Sequence, residues 1–390
     1  MVRVAVIGAG AAGCFCAANL LSKGAEISVF EAAPKALAKV AVTGGGRCNL
    51  TNSFEGIHSL SEAYPRGERV MARALKAFSQ ADTVKWFENR GVPLTLQEDH
   101  CWFPVSQDAM DIVRCLLRNM KGARIRLGTK VESLSAGLEV NGEAFDYVVV
   151  TTGGAAKGIP SFLQGLDIET VPPVPSLFTF TVKDAALRAL TGLVVDASIG
   201  LQGTPYRADG PLLITDWGLS GPATLKLSSY AARHLAEAGY KGTVTIAWLP
   251  QTEARVRDLL VKQASESPRR LISSSNLLPG RLWKHIIAKA GVREDIRWAE
   301  LGSKGFNRIT STLINDPYPL DGKGRFKEEF VTCGGIGLDS INLSTLECKK
   351  HRGLYFAGEV LDIDAITGGF NLQAAWSTGF VCAQSISKCL

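Results

Sequence analysis

Residues 4–13 read Val-Ala-Val-Ile-Gly-Ala-Gly-Ala-Ala-Gly, an apolar run followed by three glycines at the spacing G-x-G-x-x-G. The run from Val4 to Ile7 is rich in β-branched residues and predicts a buried strand. Gly8 allows a tight strand-to-helix turn, Gly10 lets the backbone approach a pyrophosphate, and Gly13 lets the next helix pack closely on the strand. The stretch therefore predicts the start of a dinucleotide-binding Rossmann unit.

A second apolar run, Ile27 to Phe30, ends at Glu31, and the intervening residues Cys14 to Lys23 predict a helix. The unpaired N–H groups and the positive dipole at the start of that helix favour a diphosphate. The Glu31 carboxylate can accept hydrogen bonds from both hydroxyls of an adenosine ribose. Because a 2′-phosphate would meet like charge there, the unit predicts FAD or NAD rather than NADP.

Length and composition indicate a multidomain cytoplasmic protein. The chain has 390 residues, 46% of them hydrophobic, and a formal net charge of +6, which is too small an excess to indicate a nucleic-acid-binding protein. Its nine cysteines include no C-x-x-C pair, so we expect free thiols in a reducing cytosol and no metal site. We expect neither a signal peptide nor a membrane span, because no segment has the required apolar length.

The clearest domain boundary is the proline-rich run from Val171 to Pro175. Beyond it the pattern predicts antiparallel strands and then, from Thr252 to about Trp298, helices. The predicted domains are the first part of a nucleotide-binding domain (1–174), a β-rich domain (175–250), a helical insert (251–298), a return through the β-rich domain (299–325) and the second part of the nucleotide-binding domain (326–390).

Four further stretches suggest contacts with the same cofactor. Thr43 to Asn52 contains three consecutive glycines, and Thr151 to Gly154 follows a buried apolar strand. Gly353 to Asp362 reads as a strand ending in glycine and acids, and Thr367 to Gln373 places a glycine pair at the start of the last helix. The N-terminus of that helix would stabilise negative charge on a reduced flavin ring.

These stretches together resemble the two-part FAD site of glutathione-reductase-like flavoproteins. More narrowly, Gly44 to Asn49, Leu219 to Pro222, Thr345 to Lys349 and Gly358 to Gln373 resemble the YhiN/BaiN family of aminoacetone-oxidase-like flavoproteins, over essentially the whole chain. The resemblance implies an α/β fold in which both ends of the chain form a Rossmann-like FAD-binding domain. Inserted β-barrel-like and helical domains would lie between these ends.

The resemblance and the motifs together assign FAD contacts to six parts of the chain. The ADP half would be held by Gly8, Gly10, Ala11, Ala12, Gly13 and Glu31, with the Val131 backbone at the adenine and Thr152, Gly153 and Gly154 as a second contact. Gly45, Gly46, Arg47 and Asn49 would lie along the diphosphate and ring, Gly358, Glu359 and Asp362 near the ribityl chain, and Gly369, Phe370, Asn371 and Leu372 near the isoalloxazine. The chain departs from the family pattern at Asp216, where a His is usual, and at Ala365, where a Gly is usual.

A flavin supplies the redox chemistry itself, so the sequence identifies no catalytic side chain. No second G-x-G-x-x-G follows another strand, so either NAD(P)H reduces the flavin transiently or the substrate does so and oxygen reoxidises it. Asp216, Trp217 and Tyr355 are candidates both for a substrate cavity and for a structural role.

Three functions remain open at this point. The first is an FAD-dependent oxidoreductase acting on a small molecule. The second is a flavin-dependent tRNA-modifying enzyme, and the third is a non-catalytic flavin-binding protein. The second is suggested by basic residues across the helical insert, although a solvated surface explains these charges more simply. The basic residues are Arg269, Arg270, Arg281, Lys284, Lys289, Arg293 and Arg297.

Overall fold

A computed structural model describes residues 2–155, 158–324 and 331–390 and divides the chain into two compact units. The first unit contains Met1–Pro175 and Val331–Leu390, and the inserted unit contains Ser176–Phe330. The first break therefore lies at the end of the proline-rich run. The predicted return to the nucleotide-binding domain at residue 326 lies outside the described residues.

The strands and helices follow one another in chain order. The strands are β1 (Arg3–Ile7), β2 (Glu26–Phe30), β3 (Thr51–Asn52), β4 (Leu94–Leu96), β5 (Cys101–Pro104), β6 (Arg124–Arg126), β7 (Glu139–Val140), β8 (Glu143–Ala144), β9 (Tyr147–Val150), β10 (Thr170–Ser176), β11 (Phe180–Val182), β12 (Val194–Leu201), β13 (Arg207–Thr215), β14 (Gly218–Ser220), β15 (Lys241–Ala247), β16 (Asp316–Lys323), β17 (Val331–Ile336) and β18 (Leu354–Phe356). The α-helices are α1 (Ala11–Leu21), α2 (Ala38–Gly46), α3 (Leu60–Ala63), α4 (Glu68–Ala77), α5 (Gln80–Glu88), α6 (Ala109–Asn119), α7 (Ala185–Arg188), α8 (Gly221–Tyr230), α9 (Ala232–Glu237), α10 (Glu253–Glu266), α11 (Gly280–Lys289), α12 (Gly302–Ile314) and α13 (Phe370–Ser387). Short 3₁₀ helices cover Ser161–Leu166, Ile272–Ser274, Trp298–Glu300, Leu338–Ser340 and Gly358–Val360. No helix of this described part of the chain is long and apolar enough to cross a membrane.

A five-stranded parallel sheet in the order β18-β9-β1-β2-β6 forms the centre of the first unit. Its central strand β1 is buried on both faces, with Val4, Ala5 and Val6 fully inaccessible, as expected for a parallel strand covered by helices. Because β18 comes from the C-terminal part of the chain, both ends of the sequence build one Rossmann-type sheet. This confirms the predicted fold class.

Local differences from the sequence-based expectations have local causes. The sequence predicts one helix with a broken apolar face over 68–90, but Phe78 is extended (φ −152°, ψ 98°) and Ser79 begins α5 with a reciprocal capping box to Asp82. The predicted strand at 131–134 is wrong: Leu134 makes only an isolated bridge to Val140. The proline-rich run is itself strand β10, which tolerates prolines because, among the described residues, it pairs with β17 along one edge alone.

The inserted unit contains a closed six-stranded barrel in the order β11-β14-β13-β12-β15-β16. Helices α10, α11 and α12 bury residues such as Leu260, Ile286 and Ile309 in the same hydrophobic core as the barrel strands. The sequence predicts a β-rich return over 299–325, but its first part forms helix α12. The barrel and the helices therefore belong to one compact unit.

A buried polar chain joins α11 to the barrel. Tyr318 donates from its hydroxyl to Asp316 Oδ2 at 2.6 Å, and the hydroxyl oxygen lies 2.8 Å from His285 Nε2. Lys289 Nζ lies 2.5 Å from Asp316 Oδ1, and the Trp248 indole donates to Asp316 Oδ2 at 2.8 Å. Because Asp316 can only accept from the Tyr318 hydroxyl, neutral His285 donates to Tyr318 through Nε2.

The buried hydrogen bonds among His285, Tyr318 and Asp316 predict that the folded protein loses stability in mild acid. Burial lowers the pKa of His285 below its ordinary value, with Lys289 acting in the same direction and Asp316 and Asp184 opposing it. Folding therefore favours the neutral imidazole. The contribution of neutral His285 to the free energy of unfolding is present above about pH 6.5 and is lost as the pH falls toward the lowered pKa of His285. We expect the urea midpoint of His285→Gln to fall less than that of the parent chain between about pH 7.5 and about pH 5.5. Equal falls in both proteins would exclude this role for His285.

Candidate functional site

Among the three glycines of the turn, Gly10 alone has open space beside its Cα within the described residues. Gly8 adopts φ +109°, and a Cβ atom there would lie 2.4 Å from the Thr151 carbonyl oxygen. A Cβ at Gly13 would lie 2.0 Å from the Gly8 carbonyl oxygen, whereas a Cβ at Gly10 would meet no atom of the described residues within 4 Å. Gly10 also precedes α1 without a side-chain cap. The free space therefore lies beside the uncapped N-terminus of α1, where a diphosphate fits.

Glu31 is held in place by the glycine turn. Its Oε2 accepts from the Ala9 N–H at 2.7 Å, and its Oε1 accepts from the Ala33 N–H at 2.8 Å. Each carboxylate oxygen keeps a further lone pair for a ligand hydroxyl. The orientation of this acid is thus set by backbone donors on both sides.

A cavity of about 230 Å³ adjoins Glu31. Four residues predicted to bind the ADP half, Gly8, Glu31, Val131 and Thr152, line it together. The rest of its wall is formed by Ile7, Phe30, Ala32, Thr129, Lys130, Pro160, Ser161 and Phe162. An apolar wall with a fixed carboxylate at one side suits an adenosine.

The second predicted contact, Gly153 and Gly154, is built around Glu359. A Cβ at Gly154 would lie 2.3 Å from Glu359 Oε1, and this oxygen accepts from the Thr332 N–H at 2.8 Å. The Gly154 N–H also donates to this carboxylate, and burial raises the Glu359 pKa above its ordinary value. Glu359 therefore holds the turn and the start of β17 together through backbone hydrogen bonds.

The neighbouring Gly358 lies against α1. A Cβ there would lie 2.9 Å from the Ala12 Cβ, and the Gly358 N–H donates to Thr378 Oγ1 at 2.9 Å. The Asp362 N–H donates to the Ile336 carbonyl oxygen at 3.0 Å. The structure thus brings Gly358 of the predicted ribityl contact to the first turn of α1, whereas the Asp362 backbone pairs with β17.

The glycine-rich loop and the start of α13 form a second cluster. Gly44, Gly45 and Gly46 all adopt positive φ, and a Cβ at Gly45 or Gly46 would meet no described atom within 4 Å. Asn52 Nδ2 donates to the Gly368 carbonyl oxygen at 3.0 Å, and a Cβ at Gly369 would lie 2.6 Å from Asn49 Oδ1. Segments more than 300 residues apart are therefore adjacent.

Two predicted contacts in this cluster bind protein atoms. The Arg47 guanidinium stacks 4.6 Å from the centre of the Phe103 ring and donates through Nε to the Gly44 carbonyl oxygen at 3.2 Å. Asn371 pairs with both backbone groups of Ala365 at 3.0 Å. These side chains shape the loops next to the start of α13.

Phe370 and Leu372 lie in the first turn of α13. The Phe370 carbonyl oxygen accepts from the buried Tyr64 hydroxyl at 3.0 Å. The N-cap residue Gly369 makes no side-chain capping hydrogen bond. The start of α13 is therefore held by its flanks and not by a capping side chain, an arrangement that suits an electron-rich ring edge.

A buried polar network that sequence analysis does not assign fixes this cluster. Gln373 Oε1 accepts from Thr51 Oγ1 at 2.6 Å and from Thr83 Oγ1 at 2.9 Å, and its Nε2 donates to Ser377 Oγ at 2.8 Å. Gln373 is fully buried. The sequence gives no clear signal for this network, because α13 contains several other polar residues.

The other candidate residues are either buried in the protein or exposed in a turn. Tyr355 is buried and its ring lies 6.3 Å from that of Tyr147, so it does not line an open cavity. Asp216 is exposed in the turn between β13 and β14. Burial raises the Cys48 pKa to about 12, which keeps this thiol protonated. Within the described ranges no cluster of His, Cys, Asp and Glu could hold a metal ion.

The chain is similar to known proteins over nearly its whole length. The family described as "HI0933-like protein Rossmann domain" matches residues 2–385. The ribosomal RNA dihydrouridine synthase of Haemophilus influenzae is 30% identical over 418 residues, covering 98% of each chain. The 3-dehydro-bile acid delta(4,6)-reductase of Clostridium scindens is 27% identical over 412 residues, covering 100% of each. The structure of 3-ketosteroid delta1-dehydrogenase from Sterolibacterium denitrificans shares the fold at 12% identity, with a TM-score of 0.52 and full coverage of both chains.

Proposed function

Because the chain belongs to the HI0933-like family of FAD-binding Rossmann oxidoreductases, we propose that it reduces a carbon–carbon double bond conjugated with a carbonyl group, using NAD(P)H. The observation that carries this proposal is the full-length similarity to two proteins named for related reductions. Uridine and a 3-oxo-Δ4,6 steroid both contain a double bond conjugated with a carbonyl. Its saturation adds a hydride at the carbon β to the carbonyl and a proton at the α carbon, while NAD(P)H becomes NAD(P)⁺.

The residues of the first unit fit FAD in two places. The open space at Gly10 beside the start of α1 would take the diphosphate, and Glu31 would accept from the ribose hydroxyls. The uncapped start of α13 beside the glycine-rich loop would face the ring. When bound there, FAD supplies hydride transfer, and the protein supplies orientation and electrostatics.

The electrostatic contribution comes from the helix start. The first-turn N–H groups of α13 point out of an 18-residue helix and stabilise negative charge on a ligand that has gained electrons. The hydrogen bond between Gln373 and Thr51 fixes the start of α13 against β3. The N–H groups of the first turn of α13 therefore stay beside the place where the ligand gains negative charge. These residues bind and orient, and no side chain of the first unit is assigned the transferred proton.

A small organic molecule is the first candidate substrate, and a uridine within RNA is the second. The second is favoured by the charge distribution: residues 176–330 contain 21 Lys and Arg against 15 Asp and Glu, whereas the remainder of the chain contains 22 of each. The inserted unit thus carries the whole net charge of +6, and such an asymmetry is typical of proteins that bind polyanions.

Anaerobic mixing of the purified flavoprotein with NADH, NADPH and a panel of amines tests the reductive half of the proposal. We expect NADH or NADPH to bleach the flavin absorbance much faster than it bleaches free FAD, and the amines to have no effect. Admitted oxygen should then reoxidise the flavin slowly. Bleaching by an amine with rapid hydrogen peroxide formation would instead identify an oxidase and contradict the proposal.

A further inference from the structure

The basic residues of the helical part of the inserted unit fall into two classes. Some are neutralised by neighbouring acids: Lys262 lies 3.9 Å from Glu266, Lys284 lies 3.8 Å from Glu294, Lys289 lies 2.5 Å from Asp316 and Arg293 lies 3.4 Å from Asp295. Others have no acidic partner within 4 Å among the described residues: Arg255, Arg257, Arg269, Arg270, Arg281, Arg297, Lys304 and Arg308.

Five of the second class lie on neighbouring segments of the chain and together form what we call the basic face: Arg269, Arg270, Arg297, Lys304 and Arg308. Leu271 and Arg297 are bridge partners, and the Trp298 N–H donates to the Arg270 carbonyl oxygen at 3.1 Å. The Ala299 N–H donates to the Pro268 carbonyl oxygen at 3.0 Å, so the segments 268–272 and 296–299 run antiparallel. This pairing brings the backbones of the three arginines close together, and all three residues are exposed.

Helix α12 extends the basic face. It begins at Gly302, directly after the 3₁₀ turn at Trp298–Glu300, and exposes Lys304 and Arg308 one turn apart on the same side. A Cβ at Gly291 would lie 3.2 Å from Arg308 Nη1, so this guanidinium lies along the end of α11. Five exposed cations without an acidic partner within 4 Å in the described part of the chain therefore lie on the paired segments and on the helix that follows them.

The scaffold under this face is rigid. Trp283 and Trp298 are buried and their rings stack 6.2 Å apart. The Trp283 indole donates to the Ile272 carbonyl oxygen at 2.7 Å, which fixes the paired segments on α11. The backbone that carries these arginines is therefore held in place, and an arginine side chain presents a forked donor that matches phosphate oxygens.

We propose that the basic face binds the phosphodiester backbone of a structured RNA. The identity of the polyanion rests on the second candidate substrate above, whereas the location rests on the unpaired cations and their fixed backbone. An anionic membrane is disfavoured, because Leu271, 45% exposed, is the one large aliphatic side chain on the described part of this face.

The test compares two triple variants of the full-length flavoprotein. Arg269→Gln/Arg270→Gln/Arg297→Gln removes three unpaired charges, and the control Lys262→Gln/Lys284→Gln/Arg293→Gln removes three that are already neutralised. Binding of deproteinised ribosomal RNA is measured by fluorescence anisotropy over a range of salt, and binding of phosphatidylglycerol vesicles is measured by sedimentation.

We expect the first triple to weaken RNA binding by about 10-fold or more and to lower the slope of log K against log salt by about two units. The control triple should change affinity by less than about threefold, with the flavin spectrum and the thermal midpoint unchanged in both. Equal weakening by both triples, or binding of vesicles but not RNA, would overturn the proposal. Absence of RNA binding by the parent chain at low salt would overturn it and the RNA candidate together, but would leave the NAD(P)H test of the reductase untouched.

Discussion

We expect Gly10→Val to weaken FAD binding at least about 100-fold but to leave the chain folded. Gly10 has φ −86° and ψ −166°, which a β-branched residue adopts without strain, and its Cβ would meet no described atom within 4 Å. The valine side chain instead fills the space beside the start of α1. Losing two charge-assisted hydrogen bonds to a diphosphate costs about 3–6 kcal/mol, which weakens FAD binding at least 100-fold.

Gly13→Val is the matched comparison. Its Cβ would lie 2.0 Å from the Gly8 carbonyl oxygen, so this variant should fail to fold rather than fold without cofactor. The measurements are FAD content, the dissociation constant of FAD for the refilled apoprotein and the circular dichroism spectrum. A Gly10→Val protein that keeps its full flavin content would show that the diphosphate lies elsewhere.

Arg66→Met should destabilise the first unit more than any surface change. Arg66 donates to both carboxylate oxygens of Asp364, whose side chain is fully buried. Removing the arginine leaves a buried carboxylate without this charge partner, at a cost of about 3–5 kcal/mol. We expect this loss in urea unfolding followed by flavin absorbance, together with weaker FAD binding, because the adjacent Ala365 pairs with Asn371 at the start of α13.

The double variant Arg66→Met/Asp364→Leu separates the two causes of that loss. Replacing a buried ion pair by apolar residues of similar size is often nearly neutral, so the double variant should recover most of the free energy of unfolding. If Arg66→Met alone costs less than about 1 kcal/mol, the ion pair is not what holds this loop.

The sequence predicts much of the nucleotide-binding half because its signals are local. The glycine spacing follows from a turn and from a close helix–strand approach, and the structure shows close contacts at Gly8 and Gly13 and open space at Gly10. The pairing of β18 with β9 could be predicted only through the resemblance, because the two strands are separated by the whole inserted unit.

Other features depend on tertiary packing that a single sequence does not display. Gln373 is one of several polar residues in α13, and its role appears only when β3 and α5 bring Thr51 and Thr83 to it. Arg47 resembles a phosphate ligand in sequence but stacks on Phe103, which lies more than fifty residues away. Tyr355 lies in a strand next to a predicted site, yet its ring packs against Tyr147.

The proposed reaction of this protein is the reduction of a conjugated carbon–carbon double bond, for which bound FAD would supply the hydride. The direct measurement is the anaerobic reoxidation of the NAD(P)H-reduced protein after addition of a 3-oxo-Δ4,6 steroid or of uridine-containing RNA, with mass spectrometry of the product. We predict that one of the two restores the oxidised flavin spectrum and gains two hydrogen atoms per turnover. Flavin that stays reduced with both acceptors, but is reoxidised rapidly by oxygen with stoichiometric hydrogen peroxide, would contradict the proposal.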